Sequence, residues 1–577
     1  MGPSGGAAST KIRYRLSLEP FGLKIHAEAI MVAFPGLRIG LVSIALGVCL
    51  FPHIGFAQQT STFCIEGGLQ IGVERFEIRN NKYFLYVPGA AAPLEYAESS
   101  IKGINVPCQN VQKPPAKESP KEAQETTQPG GPRQFGVQGS NTIGERLMPL
   151  LIEAFGQKKF GVKPTSKLTA NEEQEITLKD ASGTRAVVAL QSHGSGTATP
   201  GLAEGKAVIG MASRRLNGDE QKRLNEAFKL DILAPGNEHV LALDGLAVIV
   251  NSDNRVKELS LDQIARIFAG EITNWSDVGG DDQPITLYRR DNKSGTFDTF
   301  KNLVLAPAGG TKREISPQAK AFESSESLSE EVAHDPKAIG FIALPYIGKN
   351  SALAISSSCG IASTATKFAI KSEEYPLARR LYLYTIGTPS DPLAHDLLDF
   401  VLSDDAQTTV QDAEFVDQAI DFEDDDVQSR WAHDIASDPS RTLPADKPVP
   451  RGSLQTFAWA MDKVHRTTIA FRFEKGSAQL DNRALQDVAR LARFLSAPGR
   501  SGKHYIIAGF ADATGGWASN SRLAAGRANA VVAELAKSGI RVPRDSIIPF
   551  SYMAPVACND IDVGAAKNRR VEVWIER

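Results

Sequence analysis

The chain has 577 residues, enough for three or four domains at roughly 150 residues each. Hydrophobic residues make up 42% and charged residues 23%, an ordinary globular composition that excludes disorder along the whole length. Lys and Arg total 64 against 67 Asp and Glu, which argues against a nucleic-acid partner; five cysteines, with no CxxC and no HExxH, exclude a disulfide scaffold and give no zinc site.

Residues 39–51 (IGLVSIALGVCLF) form an uncharged apolar run, too short for a spanning helix of about 20 residues. Arg38 precedes it and GFA at 55–57 follows, the three-part pattern of a secretory signal peptide cleaved after Ala57. Residues 1–57 are read as signal peptide and leader, with Met1 or Met31 as the start, and the mature chain as soluble and exported to an oxidising space. Cys64 and Cys108 bracket a short segment and are the best candidates for a disulfide. Cys359 and Cys558 lie in separate regions and are expected to be free.

Residues 58–110 form a small module of unassigned function, whose stretch at 76–88 alternates like a hairpin. Residues 111–132 are rich in Pro, Lys and Glu and read as a linker. From 133 to 415, short β-branched strands at 186–191 and 245–251 alternate with amphipathic helices. The helix at 260–268 carries Leu261, Ile264, Ile267 and Phe268 at helical spacing. This alternation predicts an α/β fold with largely parallel sheets in two lobes, the second at about 242–350. Residues 416–465, with the acidic run at 421–426, read as a solvated connector. Residues 466–577 return to a compact α+β pattern. Ile469, Phe471 and Phe473 alternate as a strand, Leu485, Val488, Leu491 and Leu495 make a helical stripe, and 504–510 and 571–575 are further strands.

Three Gly/Ser/Thr clusters in the middle region each open a predicted helix: GSNT at 139–142, SHGSGT at 192–197, and RDNKSGT at 290–296. Helix starts expose unpaired N–H groups and a partial positive charge, hydroxyls add donors, and Gly admits a ligand close to backbone. Three such ends converging would cage a tetrahedral anion, with Arg290 presenting its guanidinium fork to two oxygens. Capping is the simpler account of any one cluster. Three of them, two with Ser-Gly-Thr and one with an Arg four residues upstream, favour the anion site. No GxxxxGK[ST] supports a nucleotide loop and no GxSxG supports a serine hydrolase; the adjacency of Ser192 and His193 is not triad geometry.

The segments at 245–254 (GLAVIVNSDN), 259–280 (LSLDQIARIFAGEITNWSDVGG) and 285–300 (ITLYRRDNKSGTFDTF) resemble periplasmic phosphate-binding proteins of the PstS type. So do GSNT at 139–142, SHGSGTA at 192–198, GMASRRL at 210–216 and AIGF at 338–341. The resemblance covers roughly 135–412 and implies a two-lobed, type II periplasmic-binding-protein fold that closes on phosphate for an ABC permease. By position it implies ligand contacts from Ser140 and Thr142, from Ser192 with Gly194 or Ser195, and from Arg290, Ser294, Gly295 and Thr296. Many relatives carry an Asp where Ser213 and Arg214 stand here. Arg214 is either a ligand group or a surface charge, and the identity of the oxyanion is less determined than its site.

In the C-terminal region, GFAD at 509–512 ends a strand, and Asn520, Ala524 and Arg527 share one face of the next helix. A carboxylate at Asp512 and a guanidinium at Arg527 could grip a zwitterion, or could simply pair with each other. With NSRLAAGRA at 520–528 and NRRVE at 568–572, the region resembles OmpA-like peptidoglycan-binding domains. The resemblance implies that Asp512, Asn520 and Arg527 bind the diaminopimelate group of the stem peptide, with Arg570 supporting the pocket or ending the strand. Two departures stand near the pocket: Phe510-Ala511 where His or Tyr and Thr are usual, and Ala524 where Ser is common.

Together these features predict a multidomain α/β chain that binds phosphate or a related oxyanion and peptidoglycan, without catalysis, cofactor or metal. Its place is the periplasm, on the cell-wall or outer-membrane side. The alternative is a structural or sensory envelope protein whose PstS-like module no longer serves transport; a phosphoester hydrolase using Ser192 or Ser294 is a third reading.

Overall fold

The computed structural model describes residues 133–307, 310–438, 443–444, 446–500 and 502–576, and eight β-strands between Thr10 and Ile104. The apolar run at 39–51, the cleavage site after Ala57, the linker at 111–132 and Cys108 lie outside the described residues, so the Cys64–Cys108 pairing does too. The chain divides into two compact units, Met1–Pro120 and Lys121–Arg577. In the first, Thr10–Leu18 pairs antiparallel with Leu23–Met31, and the hairpin expected at 76–88 is formed by Arg75–Arg79 and Lys82–Tyr86. No helix among the described residues is long and apolar enough to cross a membrane.

The second unit begins with a mixed sheet of 11 strands that runs through both lobes. Arg133–Gly139 lies parallel to Gly183–Gln191 and Ile209–Ala212, and Thr286–Arg290 lies parallel to Ala338–Ala343 and Lys320–Phe322. The largely parallel sheet expected from the βα alternation is not what forms: four pairings are parallel and six antiparallel, because hairpins such as Glu173–Asp180 with Gly183–Gln191 and returning strands such as Ala338–Ala343 beside Glu238–Val250 enter the same sheet. Where the lobes join, Glu238–Val250 runs antiparallel to Ala378–Tyr384, with Asp244 opposite Arg379 and Leu243 opposite Arg380. Glu238–Val250 is buried along all 13 residues, because it is core to both lobes and is covered on both faces. The second lobe's core runs on through Leu353, Ile355, Ile370, Tyr375 and Leu377, past the boundary expected near 350.

The helices follow local chemistry. Ser260 and Gln263 close a capping box that starts Leu261–Ala269, and its buried stripe is Ile264, Ala265, Ile267 and Phe268. Gly270 ends that helix in the left-handed conformation.

The C-terminal sheet orders its four strands as His465–Arg472, Arg570–Ile575, Tyr505–Gly509 and Ile547–Pro549. Asn482–Ser496 and Trp517–Lys537 cover one face through Val488, Leu491, Leu495, Val531 and Leu535. The stretch at 416–465 is not the solvated connector its acidity suggested. It forms two helices, Asp425–Ser437 and Arg451–Lys463, which bring Ile435, Phe457, Ala460 and Met461 onto Ile506, Ala508 and Trp574 on the other face. The physical reason lies in the strands: Ile506 and Ile507 are both apolar and point to opposite faces, so neither face can be left to water. The acidic residues have partners of their own. Asp424 caps the first helix, Asp421 pairs with Lys371 and Glu423 with Arg466.

Cys359 and Cys558 are not free. They form a disulfide linking the second lobe to the C-terminal domain across 199 residues of sequence. Separation in sequence hid the pair, because the loop after Ala354–Ser356 and the loop before Asp562–Asn568 meet only in the folded chain.

Candidate functional site

The three Gly/Ser/Thr clusters do open helical turns, and the turns converge. Ile143–Leu147 and Met148–Phe160 follow the first, Ser195–Thr197 and Ala198–Ala203 the second, and Gly295–Phe300 the third. Ser140, Thr142, Ser192, Ser195, Ser213, Ser294 and Thr296 are all buried. The Thr142 and Thr296 hydroxyls stand 3.1 Å apart across the lobes. Ser195 Oγ lies 3.2 Å from Ser213 Oγ and accepts the Ser213 N–H at 3.0 Å. Asn141 donates to the Ser192 carbonyl, tying the first two loops together. Ser294 Oγ accepts the Thr296 N–H at 3.2 Å.

Two glycines are needed where they stand. Gly194 has φ +99°, and its N–H bonds the Gly139 carbonyl at 2.8 Å. A Cβ on Gly295 would collide with the Ser195 and Ser213 hydroxyls of the other lobe.

Of the arginines, Arg290 is fully buried. Its Nε donates to the Phe322 carbonyl at 3.3 Å, and its Nη groups to Ser325 Oγ and the Glu323 carbonyl. No carboxylate touches it in these bonds. Burial, together with the charge of Arg379, lowers its pKa, while Glu145 opposes the shift. Burial in turn pushes the Glu145 pKa up to about 8, against the pull of Arg290.

Arg214 faces elsewhere. Its guanidinium holds Glu220 of its own lobe at 2.6 Å and Asp298 of the other lobe at 2.6 Å. Neither sequence alternative described it fully, since it is a half-buried clasp between the lobes. Its neighbours could have given the signal, because Glu220 follows at i+6 and Asp298 sits two residues after Thr296.

The residue that sequence reading missed is Arg379. It is buried on the joining strand Ala378–Tyr384, pairs with Asp244 at 2.7 Å, and donates to Thr296 Oγ1 at 2.9 Å and Thr142 Oγ1 at 3.4 Å. No motif announces it, since its partners lie 83 and 237 residues away.

In the C-terminal pocket, Gly509 lets the helix Trp517–Lys537 press its Ala524 carbonyl onto the strand end. Asp512 Oδ1 accepts the Thr514 N–H at 2.9 Å, and Asn520 donates to the Thr514 carbonyl at 2.8 Å, fixing the loop. Asp512 pairs with Arg569 at 3.2 Å rather than with Arg527. Burial raises the Asp512 pKa, but Thr514 and Arg569 outweigh it and hold the group below its ordinary value. Arg527 is buried and donates to the carbonyls of Ser477 at 3.1 Å and of Phe510 and Glu474 at 3.4 Å. Burial first, then Arg569, lowers its pKa to about 10.

Arg570, placed with this pocket by motif position, is not part of it. It is fully buried, pairs with Glu572 at 2.6 Å and lies 3.9 Å over the Phe510 ring. Successive strand residues face opposite ways, so Arg569 takes the pocket and Arg570 the far side. Phe510 also packs away, against Phe550 and Trp574.

Residues 127–405 match the PBP superfamily domain and residues 472–569 match the OmpA family. The phosphate-binding protein PstS of Bacillus subtilis is 33% identical over 226 residues, 39% of this chain and 68% of that protein. The chain belongs to the PstS family. PstS of Pseudomonas aeruginosa is 30% identical over 241 residues, 39% of this chain and 72% of that protein. An ABC-type phosphate transport receptor from Vibrio cholerae is similar in structure, with 25% identity over 49% of this chain and 99% of that one, at a TM-score of 0.36. A PstS-like, two-lobed domain is thus followed in one chain by an OmpA-family domain.

Proposed function

We propose that the cleft captures a tetrahedral oxyanion, phosphate foremost, and that the C-terminal pocket holds the protein to peptidoglycan by the diaminopimelate group of the stem peptide. The protein is then an exported solute-binding protein for ABC-type uptake, kept near the wall. One observation carries the reading: Arg379 donates to hydroxyls of both lobes and pairs with Asp244, while the buried Arg290, within electrostatic reach of it, donates to two carbonyls and the Ser325 hydroxyl and makes no ion pair among the described residues. A buried charge without a counterion is strongly unfavourable, and a bound oxyanion supplies the missing partner. The names of the PstS relatives agree with this chemistry.

Catalysis is not proposed. Both ring nitrogens of His193 face carboxylates, Glu173 at 3.0 Å and Glu323 at 3.1 Å, which leaves Ser192 without that base. A second reading, an envelope sensor without transport, is favoured by the Cys359–Cys558 crosslink, which fixes the two-lobed domain to the domain that would be anchored.

Equilibrium dialysis against phosphate, competed with sulfate, arsenate and molybdate, tests the cleft. Arg290→Ala should weaken phosphate binding about 10- to 100-fold, the worth of one or two charged hydrogen bonds, and leave retention on purified sacculi within about tenfold. Arg527→Ala should do the reverse. No uptake at millimolar phosphate would sink the cleft reading, and wild-type chain that stays in the supernatant of sacculi would sink the anchoring.

A further inference from the structure

The C-terminal domain sits across the joint between the lobes. On the second-lobe side it is held by the disulfide, by Lys567 on the carbonyls of Glu373 at 2.8 Å and Tyr375 at 3.0 Å, and by Arg472 on the Ser372 carbonyl. On the first-lobe side, Asn482 Nδ2 donates to the Leu233 carbonyl at 2.8 Å and to Glu238 at 3.0 Å, and Arg493 pairs with Asp404 at 2.9 Å. Between them stands Arg380, paired with Glu373 and Asp481, each at 2.6 Å.

These contacts connect the two candidate sites. Arg379 and Arg380 are neighbours on one strand and face opposite sides. Arg379 holds the Thr142 and Thr296 hydroxyls of the cleft. Arg380 holds Asp481, which caps the helix Asn482–Ser496. The segment before that cap offers its Glu474 and Ser477 carbonyls to Arg527.

We propose that the C-terminal domain is a clasp over the hinge, so that anion capture in the cleft and peptidoglycan binding at Arg527 strengthen each other. The inference rests on the function proposed above. The oxyanion donors come from both lobes, so the cleft site exists only when the lobes are closed. Opening must part the C-terminal domain from one lobe, and the disulfide holds it to the second. The bonds of Asn482 and Arg493 to the first lobe are therefore the ones that break. A stem-peptide carboxylate at Arg527 fixes the guanidinium that organises residues 474–477, and with it the Asp481 contact to Arg380. Both ligands then favour the same closed arrangement, a single two-state element that each site biases.

The test uses the full, oxidised chain. Phosphate affinity is measured by dialysis with and without saturating diaminopimelate-containing muropeptide, and muropeptide affinity by calorimetry with and without phosphate. Each Kd should fall by the same factor, about fivefold or more, because linkage is reciprocal. Asn482→Ala removes only the first-lobe bonds of that side chain and should reduce the factor. Arg380→Ala should bring it to one, and a circular dichroism melt separates this from unfolding. If both ligands bind and neither Kd moves, the clasp is wrong while the two sites stand. If one of them does not bind, the proposed function falls and takes the clasp with it. A full factor in folded Asn482→Ala and Arg380→Ala variants overturns the assigned route.

Discussion

The cleft and the C-terminal pocket share a plan and differ in how it is assembled. Each contains one buried arginine paired with an aspartate, Arg379 with Asp244 and Arg569 with Asp512. Each contains a second, Arg290 or Arg527, that donates to carbonyls or a hydroxyl. The cleft gathers its groups from positions 140 to 379 on two lobes, whereas the pocket draws on 474 to 569 within one domain. The pocket's donors are therefore held within one domain, and the cleft's meet only on closure. Affinity in the cleft should respond directly to anything that resists closure, and affinity in the pocket only through the contacts that tie its domain to the lobes.

The largest expected effect exploits this difference. Gly295→Ala puts a methyl against Ser195 and Ser213 of the opposite lobe, so the lobes cannot meet as they do here. Several charged hydrogen bonds are lost together, and phosphate affinity should fall at least ~100-fold, about 3 kcal/mol. Retention on sacculi should change by less than about tenfold. A Gly295→Ala protein with wild-type phosphate affinity would show that the cleft is not closed by this contact.

Local chemistry made much of the fold legible: the capping box at Ser260, the helical stripe at 485–495, and the Ser/Thr clusters that open helices. The arginines show where legibility ends. The chain has four Arg-Arg doublets, at 214–215, 289–290, 379–380 and 569–570. Arg214 clasps the lobes while Arg215 pairs with Glu238; Arg289 lies over the Phe297 ring while Arg290 is buried. Adjacent residues in a strand differ by half a period, so a one-residue error exchanges a site residue for a structural one. The NRRVE motif holds both Arg569 and Arg570, and only the phase of the chain there puts Arg569 on Asp512 and Arg570 on Glu572; a motif has no means of weighing Arg379 at all. The connector at 416–465 failed for a related reason. Its acidity suggests solvation, although its partners Lys371 and Arg466 sit in other elements.

The crosslink sharpens the comparison at intermediate size. Cys359→Ser should destabilise the C-terminal domain by about 2–4 kcal/mol, because the unfolded chain regains the freedom of a long loop. That corresponds to a fall of about 5–10 °C in its unfolding midpoint. Reducing the wild-type protein with dithiothreitol should reproduce the shift, and Cys359→Ser should then be insensitive to the reductant. Identical melting of oxidised and reduced protein would mean that the ion pairs of the interface suffice.

The smallest effect is a pH dependence at the rim of the cleft. His193 of the first lobe lies between Glu173 of the same lobe and Glu323 of the second. Burial lowers its pKa, but hydrogen bonds and charge from Glu173 and Glu323 outweigh this and raise it above the ordinary histidine value. A raised folded pKa contributes stability that is fully present below about pH 6.5 and lost as pH rises through the folded value. The groups are partly exposed, so the contribution should stay under about 1 kcal/mol. His193→Gln should therefore melt below wild type at pH 5.5 and converge with it by pH 9, measured without anion so that phosphate's own titration does not intrude. Since Glu323 belongs to the second lobe, the stability at stake is that of the closed arrangement. Cysteine-free spin labels are unnecessary to see it: hydrogen exchange at the Thr296 and Ser213 amides, on opposite walls of the cleft, should quicken in His193→Gln at pH 5.5 and not at pH 9. Equal curves at both pH values would leave His193 a surface group with no part in holding the lobes together.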